Sequence, residues 1–236
     1  MRPLISAHRG GTPSAGQSAA DRYRQAIASG VDYVEFDVRK TGDGVAVICH
    51  DDCTRSGRPI RGLGSREVEE ELGGEALTLD ELLELAAGRV GLHLDLKETG
   101  YEAEIVNRVL AVCSLDQFVI TSGDESVRAI KVQFPHVRVG LSLGDDLDGA
   151  SPWARLRGRF GELFPRRRIE AGGADFVAVH HRLAELNVLR YCEKRGVPAW
   201  VWTVDDEFAL QRFLADRRVA ALITNRPEAA LRIRSA

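Results

Sequence analysis

The sequence predicts an α/β protein folded as an eightfold β/α (TIM) barrel. Apolar runs of strand length alternate with helical patterns along the whole chain, an order that is typical of a parallel sheet. Eight runs remain when one hairpin strand is set aside, and 236 residues is a suitable length for such a barrel. An open doubly wound sheet is the alternative, but no Gly-x-Gly-x-x-Gly follows the first strand. We find no linker or repeat and expect a single domain over residues 1–236.

The strands are predicted from short apolar runs that are bounded by polar residues and glycine. In chain order they are Leu4–Ala7, Tyr33–Val38, Val45–Cys49, Leu92–Leu96, Phe118–Thr121, Val137–Leu143, Phe176–Val179, Ala199–Val204 and Ala221–Thr224.

The helices are predicted from apolar residues at helical spacing between these runs. Thr78 and Glu81 form a capping box, which marks where the second helix begins. In chain order the helices are Ala19–Ser29, Leu79–Ala87, Tyr101–Cys113, Glu125–Phe134, Ala184–Arg195 and Glu207–Asp216.

The run Val45–Cys49 differs from the others because no helix separates it from the second strand. Asp43-Gly44 stands between the two apolar runs and is a strong signal for a two-residue hairpin turn. If these two residues form the turn, Gly42 faces Val45 and, further along the ladder, Asp37 faces His50. The hairpin therefore predicts a carboxylate beside an imidazole.

Two pairs of charged residues lie at the ends of predicted strands. Glu35 and Asp37 are two apart and share one face of a strand, where two carboxylates repel each other unless a cation lies between them. Hard oxygen ligands favour Mg²⁺ or Ca²⁺. Asp95 and Lys97 have the same spacing in "GLHLDLK", while His93 is expected to pack deeper in the barrel. The alternatives are solvated charges on an outward face and an ion pair between strands.

These residues lie at the carboxyl ends of predicted parallel strands, which meet at one mouth of a β/α barrel. Active sites of such barrels lie at that mouth. The hairpin adds one histidine to the residues at the strand ends. The predicted site contains His8, Glu35, Asp37, His50, Asp95 and Lys97.

The composition limits the possible functions. The net charge is −3 without a long basic run near either end, which gives little support for nucleic-acid binding. No stretch reaches the roughly 18 apolar residues that a membrane helix needs. No apolar signal-peptide core precedes His8, and the four cysteines show no Cys-x-x-Cys spacing, so we expect a reduced cytoplasmic protein.

The segment from Trp153 to Gly173 carries six arginines among apolar residues at roughly helical spacing. The simpler interpretation is an amphipathic helix after the fifth strand with a solvated basic face. The alternative is a surface that makes weak contact with anionic lipid headgroups.

Several motifs resemble the glycerophosphodiester phosphodiesterase family. They are "AHRGG", "AIASGVDYVEFDVRKTGDGVAVICHDD", "LTLDELLEL", "LHLDLK", "VPAWVWTVDD" and "LITNRP", and they run in the family's order from Ala7 to Pro227. The resemblance implies a barrel with a small insertion after the second strand, at about residues 51–75, a divalent metal ion and hydrolysis of a phosphodiester.

The resemblance also implies roles for single residues. His8 and His50 match the catalytic histidines. Glu35 and Asp37 match two metal ligands, and Asp95 stands where the family usually has a glutamate as the third.

The remaining matches concern the substrate. Arg9 and Lys97 match residues that contact the phosphate, and Trp202 matches a tryptophan that lines the pocket. The family's usual Pro-Glu-Asn-Thr after the first strand is absent, and Gln17 takes the place of its glutamate.

The resemblance implies metal-dependent hydrolysis of glycerophosphodiesters or lysophospholipids to an alcohol and glycerol phosphate, with two histidines as acid and base. A phospholipase-D-like lyase that releases a cyclic phosphate is one alternative. A metal-dependent sugar isomerase or aldolase is another, but it has less need of Arg9 and Lys97 near one phosphate. A barrel that binds phosphate without turnover is the non-enzymatic alternative.

Overall fold

A closed barrel of eight parallel strands forms the centre of the computed structural model, which describes residues 2–73, 76–144 and 165–235. The predicted fold class is confirmed. In chain order the strands are β1 (Leu4–Ala7), β2 (Tyr33–Lys40), β3 (Ala46–Ile48), β4 (Leu77–Thr78), β5 (Gly91–Leu96), β6 (Phe118–Ser122), β7 (Val139–Leu143), β8 (Phe176–His180), β9 (Ala199–Trp202) and β10 (Val219–Thr224).

The barrel closes between its first two strands. The order around it is β1-β10-β9-β8-β7-β6-β5-β2, and β2 pairs back with β1 through Ser6 opposite Tyr33 and Ala7 opposite Val34. Since all eight strands are parallel, their carboxyl ends meet at one mouth. The antiparallel strands β3 and β4 continue from β2 outside the barrel.

Helices cover the outside of the barrel. They are α1 (Ala19–Ala28), α2 (Ser65–Glu71), α3 (Leu79–Ala86), α4 (Glu102–Leu110), α5 (Asp124–Gln133), α6 (Arg166–Gly172), α7 (His181–Leu183), α8 (Leu189–Arg195), α9 (Glu207–Ala215) and α10 (Pro227–Ser235). A wider π-helical turn, Ala184–Val188, joins α7 to α8. The main apolar core lies between strands and helices and includes the fully buried Val34, Leu94, Ile120 and Leu222.

The predicted capping box at α3 is confirmed. Thr78 Oγ1 accepts a hydrogen bond from the Glu81 amide at 3.2 Å, and the Glu81 carboxylate accepts one from the Thr78 amide at 2.8 Å. The helix α2 was not predicted because Val68 is its one buried residue, so its sequence shows no apolar period.

The predicted two-residue hairpin turn is wrong by one residue. Lys40 lies opposite Ala46, and the loop closes through Thr41 N–H to Val45 O at 3.0 Å. Gly44 takes the left-handed conformation at φ 88°, so three residues rather than two form the loop. The ladder is thereby shifted by one residue, and the Asp37 backbone carbonyl accepts a hydrogen bond from the Cys49 amide at 3.1 Å instead of Asp37 facing His50.

The arginine-rich segment lies mostly outside the described residues, including Trp153. Its described end is α6, where Arg166 pairs with Glu170 at 2.9 Å and Arg168 with Asp124 at 2.6 Å. None of the described helices is long and apolar enough to cross a membrane.

Candidate active site

The mouth of the barrel holds a cavity of about 640 Å³. All eight residues to which we assigned a role lie around it: His8, Arg9, Glu35, Asp37, His50, Asp95, Lys97 and Trp202.

Three carboxylates form the acidic part of this cavity. Glu35 and Asp37 point inward from alternate positions of β2, and the register of β5 places Asp95 beside Asp37. One oxygen of each carboxylate lies within 4.8 Å of the other two. Glu35 and Asp37 are only 3% and 2% exposed, so this negative charge is largely removed from water.

Two cations compensate part of that charge. Lys97 Nζ lies 2.9 Å from Asp37 Oδ1 and also contacts Asp95, while Arg9 Nε lies 2.9 Å from Asp37 Oδ2. Burial favours the neutral acid at Asp37, but Lys97 and Arg9 outweigh it and hold the pKa of Asp37 below its ordinary value.

Glu35 has the opposite electrostatic balance. Burial raises the pKa of Glu35 well above its ordinary value, and the carboxylates of Asp37 and Asp95 raise it further. Its carboxylate accepts a hydrogen bond from the Arg9 amide at 2.8 Å. Three carboxylates thus face two cations, and a further positive charge beside Glu35 would lower the cost of ionising it.

A strained turn after β1 aims Arg9 at these carboxylates. Arg9 takes left-handed dihedrals (φ 51°, ψ 33°) and is the one described non-glycine residue with positive φ. Gly10 and Gly11 follow with φ of 75° and 97°, and a Cβ at Gly11 would lie 3.3 Å from Pro227. The "HRGG" sequence therefore supplies a sharp turn that directs the Arg9 amide to Glu35 and its side chain to Asp37.

His8 is held by two residues that the sequence analysis did not assign. His8 Nδ1 lies 2.8 Å from Asn225 Oδ1, and Asn225 Nδ2 donates to Asp205 at 2.7 Å. Because Asn225 presents its oxygen, His8 Nδ1 carries the proton and its Nε2 faces the cavity, 3.9 Å from Glu35. Burial, reinforced by Arg9, lowers the pKa of His8 below its ordinary value.

Asp205 and Asn225 both lie in quoted motifs, "WTVDD" and "ITNRP". Their position directly after β9 and β10 was the signal that could have placed them at the mouth.

His50 lies at the more open side of the cavity. Its side chain is 44% exposed, and its Nδ1 lies 2.7 Å from Asp51 Oδ1. The backbone is fixed by Arg39, whose Nε donates to the His50 carbonyl at 2.9 Å and whose guanidinium pairs with Glu98 at 2.7 Å. The structure thus brings both histidines to one cavity, although the hairpin register that suggested it was wrong.

The wall opposite the carboxylates is formed by β8 and β9. The Trp202 indole packs edge-on against His180, with ring centroids 5.2 Å apart, and its buried Nε1 has no hydrogen-bond partner among the described residues. Leu183 and Ile223 add apolar surface to this wall. This side of the cavity therefore offers apolar surface and one unused hydrogen-bond donor.

Gln17 does not reach the cavity. Its amide accepts from Ser14 N at 3.0 Å and donates to Gln25 at 2.8 Å, so it ties the first loop to α1.

A β/α barrel with clustered carboxylates, two cations and two histidines at its mouth is an enzyme fold equipped for phosphate-ester chemistry. Residues 8–138 match the sequence model of the glycerophosphoryl diester phosphodiesterase family, and the chain belongs to that family. It is a phosphoric diester hydrolase, and its substrates are glycerophosphodiesters.

Relatives match over almost the whole chain. A glycerophosphodiester phosphodiesterase of Caldanaerobacter subterraneus is 26% identical over 97% of this chain and 96% of the relative. A probable glycerophosphodiester phosphodiesterase of Mycobacterium tuberculosis is 28% identical over 95% of this chain and 88% of the relative.

Solved structures share the fold. A glycerophosphodiester phosphodiesterase from Parabacteroides distasonis superposes with a TM-score of 0.80 at 21% identity, covering 99% of this chain and 97% of that one. A phosphodiesterase of Oleispira antarctica, solved with the product sn-glycerol-3-phosphate, gives a TM-score of 0.77 at 21% identity over 100% and 98%.

Proposed function

We propose that this enzyme requires a divalent cation to hydrolyse glycerophosphodiesters to an alcohol and a glycerol phosphate, and that it cleaves the same ester of lysophospholipids to an alcohol and an acylated glycerol phosphate. The carboxylates of Glu35, Asp37 and Asp95, whose oxygens lie within 4.8 Å of one another, carry the proposal.

The donor set fits a hard divalent ion. Oxygen ligands alone are what Mg²⁺ and Ca²⁺ prefer, and the three carboxylates exceed the charge of Arg9 and Lys97 by one. Glu35, Asp37 and Asp95 would hold the ion. When bound, it supplies positive charge that offsets the charge of the phosphoryl oxygens.

Arg9 and Lys97 are suited to bind the phosphodiester. Both lie on the cavity wall, and each is held by Asp37 at 2.9 Å. The planar Arg9 guanidinium offers several donors to phosphoryl oxygens, and Lys97 offers a point charge.

The two histidines are suited to the proton transfers. Since His8 Nδ1 is committed to Asn225, His8 Nε2 is the atom that takes the proton from the attacking hydroxyl. His50, beside Asp51, would donate a proton to the departing alcohol oxygen as the phosphorus–oxygen bond breaks. Water as nucleophile yields a phosphomonoester, whereas a hydroxyl of the substrate yields a cyclic phosphate.

The test is to incubate purified protein with glycerophosphodiesters and lysophospholipids and to follow products by phosphorus NMR. We expect linear glycerol phosphate with Mg²⁺ or Ca²⁺ and no turnover in EDTA. Asp37→Asn should weaken metal binding, since it removes a ligand charge.

Asp80→Asn is the matched control, because Asp80 is an exposed aspartate that pairs with Arg108 at 2.8 Å. Full activity in excess EDTA, with no metal detected in the protein, would contradict the metal requirement. A cyclic phosphate as final product would identify the lyase instead.

A further inference from the structure

We propose that Thr121 and His93 are positioning residues that fix the orientation of Asp95 as the third metal ligand. This inference rests on the proposed metal requirement and concerns residues for which the sequence analysis assigned no part in catalysis.

A buried row of hydrogen bonds leads from β1 to Asp95. Ser6 Oγ lies 3.2 Å from His93 Nδ1, and His93 Nε2 lies 3.0 Å from Thr121 Oγ1. Thr121 Oγ1 donates to Asp95 Oδ1 at 2.7 Å. Ser6, His93 and Thr121 are 0–2% exposed, so water does not compete for these bonds.

The number of hydrogen-bond donors and acceptors in this row allows only one direction of donation, from Ser6 toward Asp95. Asp95, in contact with Lys97, accepts only, so Thr121 must give its single hydroxyl proton to Asp95. Thr121 can then accept from His93 Nε2–H, which leaves His93 Nδ1 to accept from the Ser6 hydroxyl. Each donor and acceptor in the row is used once.

The His93 ring is itself held in place. It packs edge-on against Trp200 in the barrel interior, with ring centroids 5.0 Å apart. The proton on His93 Nε2 is therefore presented to Thr121 from a fixed position.

The two oxygens of the Asp95 carboxylate have different partners. Oδ1 is held by Thr121, and Oδ2 is turned toward Lys97 and the side of the cavity where Asp37 lies. Without Thr121, Lys97 alone would direct the Asp95 carboxylate, whose side chain is 17% exposed and less enclosed than Glu35 or Asp37. The hydrogen bond from Thr121 therefore holds the short Asp95 side chain in one orientation.

The test measures binding of Mg²⁺ and Ca²⁺ alone by calorimetry. Removal of a group behind a metal ligand typically costs about 10–100-fold in metal affinity, so we expect that loss for Thr121→Val. Thr121→Ser keeps the hydroxyl and should bind metal as wild type does. His93→Gln retains a donor near Nε2 and should lose less affinity than His93→Phe.

The matched control is Ser122→Ala on the same strand. Ser122 is also buried and donates to the Leu96 carbonyl at 2.7 Å, but it does not contact a carboxylate of the site. It should lower the unfolding midpoint without changing metal affinity. If Thr121→Val unfolds, the greater loss of metal affinity expected for His93→Phe than for His93→Gln still tests the positioning role.

The outcomes separate this inference from the proposed function. If wild type binds metal and Thr121→Val binds it equally well, the positioning role is wrong and the metal site stands. If wild type binds neither ion and works in EDTA, both proposals fail. Equal affinities for His93→Gln and His93→Phe would remove His93 from the row.

Discussion

The pair His8 and Asn225 shows how one hydrogen bond decides which nitrogen of a histidine faces the cavity. An imidazole can present either nitrogen, and the bond to Asn225 Oδ1 at 2.8 Å reserves Nδ1. Asp205 in turn fixes Asn225 through its amide and backbone N–H, at 2.7 and 2.8 Å. The side of His8 that faces the cavity is therefore decided by residues that never touch the carboxylates.

Asn225→Ala should lower kcat by about 10-fold or more with a smaller change in KM, because His8 then samples both tautomers and several ring orientations. Steady-state kinetics on a soluble glycerophosphodiester measure this. Gln25→Ala, which removes a surface amide beside Gln17, should leave kcat unchanged. An unchanged kcat for Asn225→Ala would show that His8 is oriented by other contacts.

His8→Ala and His50→Ala should each lower kcat by about 10²–10⁴-fold, the usual contribution of one acid or base. Both side chains lie at the mouth, so the free energy of unfolding should change little. Activity and urea unfolding of the same preparations check this. Loss of activity in only one variant would assign both proton transfers to a single histidine.

Two turns, one after β1 and one after β2, fix the chain on either side of the carboxylate cluster. After β1, three successive left-handed residues, Arg9 to Gly11, reverse the chain at the mouth. After β2, Asp43 closes the hairpin by accepting from the Thr41 hydroxyl and from the Ser65 amide at 2.9 Å. Asp43 thus connects the hairpin to the first residue of α2.

Asp43→Asn should destabilise the protein in a pH-dependent way. The hydrogen bonds from Thr41 and then Ser65 lower the pKa of Asp43 from 3.8 to about 2. A lowered folded-state pKa stabilises the protein above the unfolded value, and the contribution is lost as pH falls from about 4 to about 2. Urea unfolding should therefore separate the variant from wild type at pH 7, with the difference shrinking in that window. A difference that persists at pH 2 would assign the effect to something other than charge.

The barrel interior is filled by a few large rings that need small neighbours. Phe176 and Trp200 lie 4.9 Å apart between ring centroids, and Tyr33 packs on Trp200 at 5.2 Å. Gly140 on β7 leaves the space for Phe176, since a Cβ there would lie 2.3 Å from the ring. The barrel interior beneath the site is therefore a packed core and not a channel.

Gly140→Ala should destabilise the whole barrel by about 1–3 kcal/mol, the usual cost of overpacking a core. Gly62→Ala is the control, because a Cβ at Gly62 meets no atom within 4 Å and its backbone is not left-handed. Thermal unfolding of the two variants measures the difference. Equal midpoints would mean that Phe176 moves aside without cost.

Features that depend on a pattern within one strand or helix could be predicted from the sequence. The barrel strands follow apolar runs, and strand parity placed Glu35, Asp37 and Asp95 on one face, as the structure confirms. The hairpin register failed because a single glycine at φ 88° adds a residue to the loop. The bond from His8 to Asn225 joins residues 217 apart, and no local pattern carries such a contact.

Closure of the barrel between β10, β1 and β2 has a consequence for how the enzyme is made. Because β1 is synthesised before β10 and Asn225 directly follows β10, His8 lacks its hydrogen-bond partner until all eight barrel strands have been made. Until β10 arrives, β1 also lacks one of its two neighbours and has an open edge. We therefore expect the orientation of His8 to form late in folding, when β10 pairs with β1 across a long sequence separation.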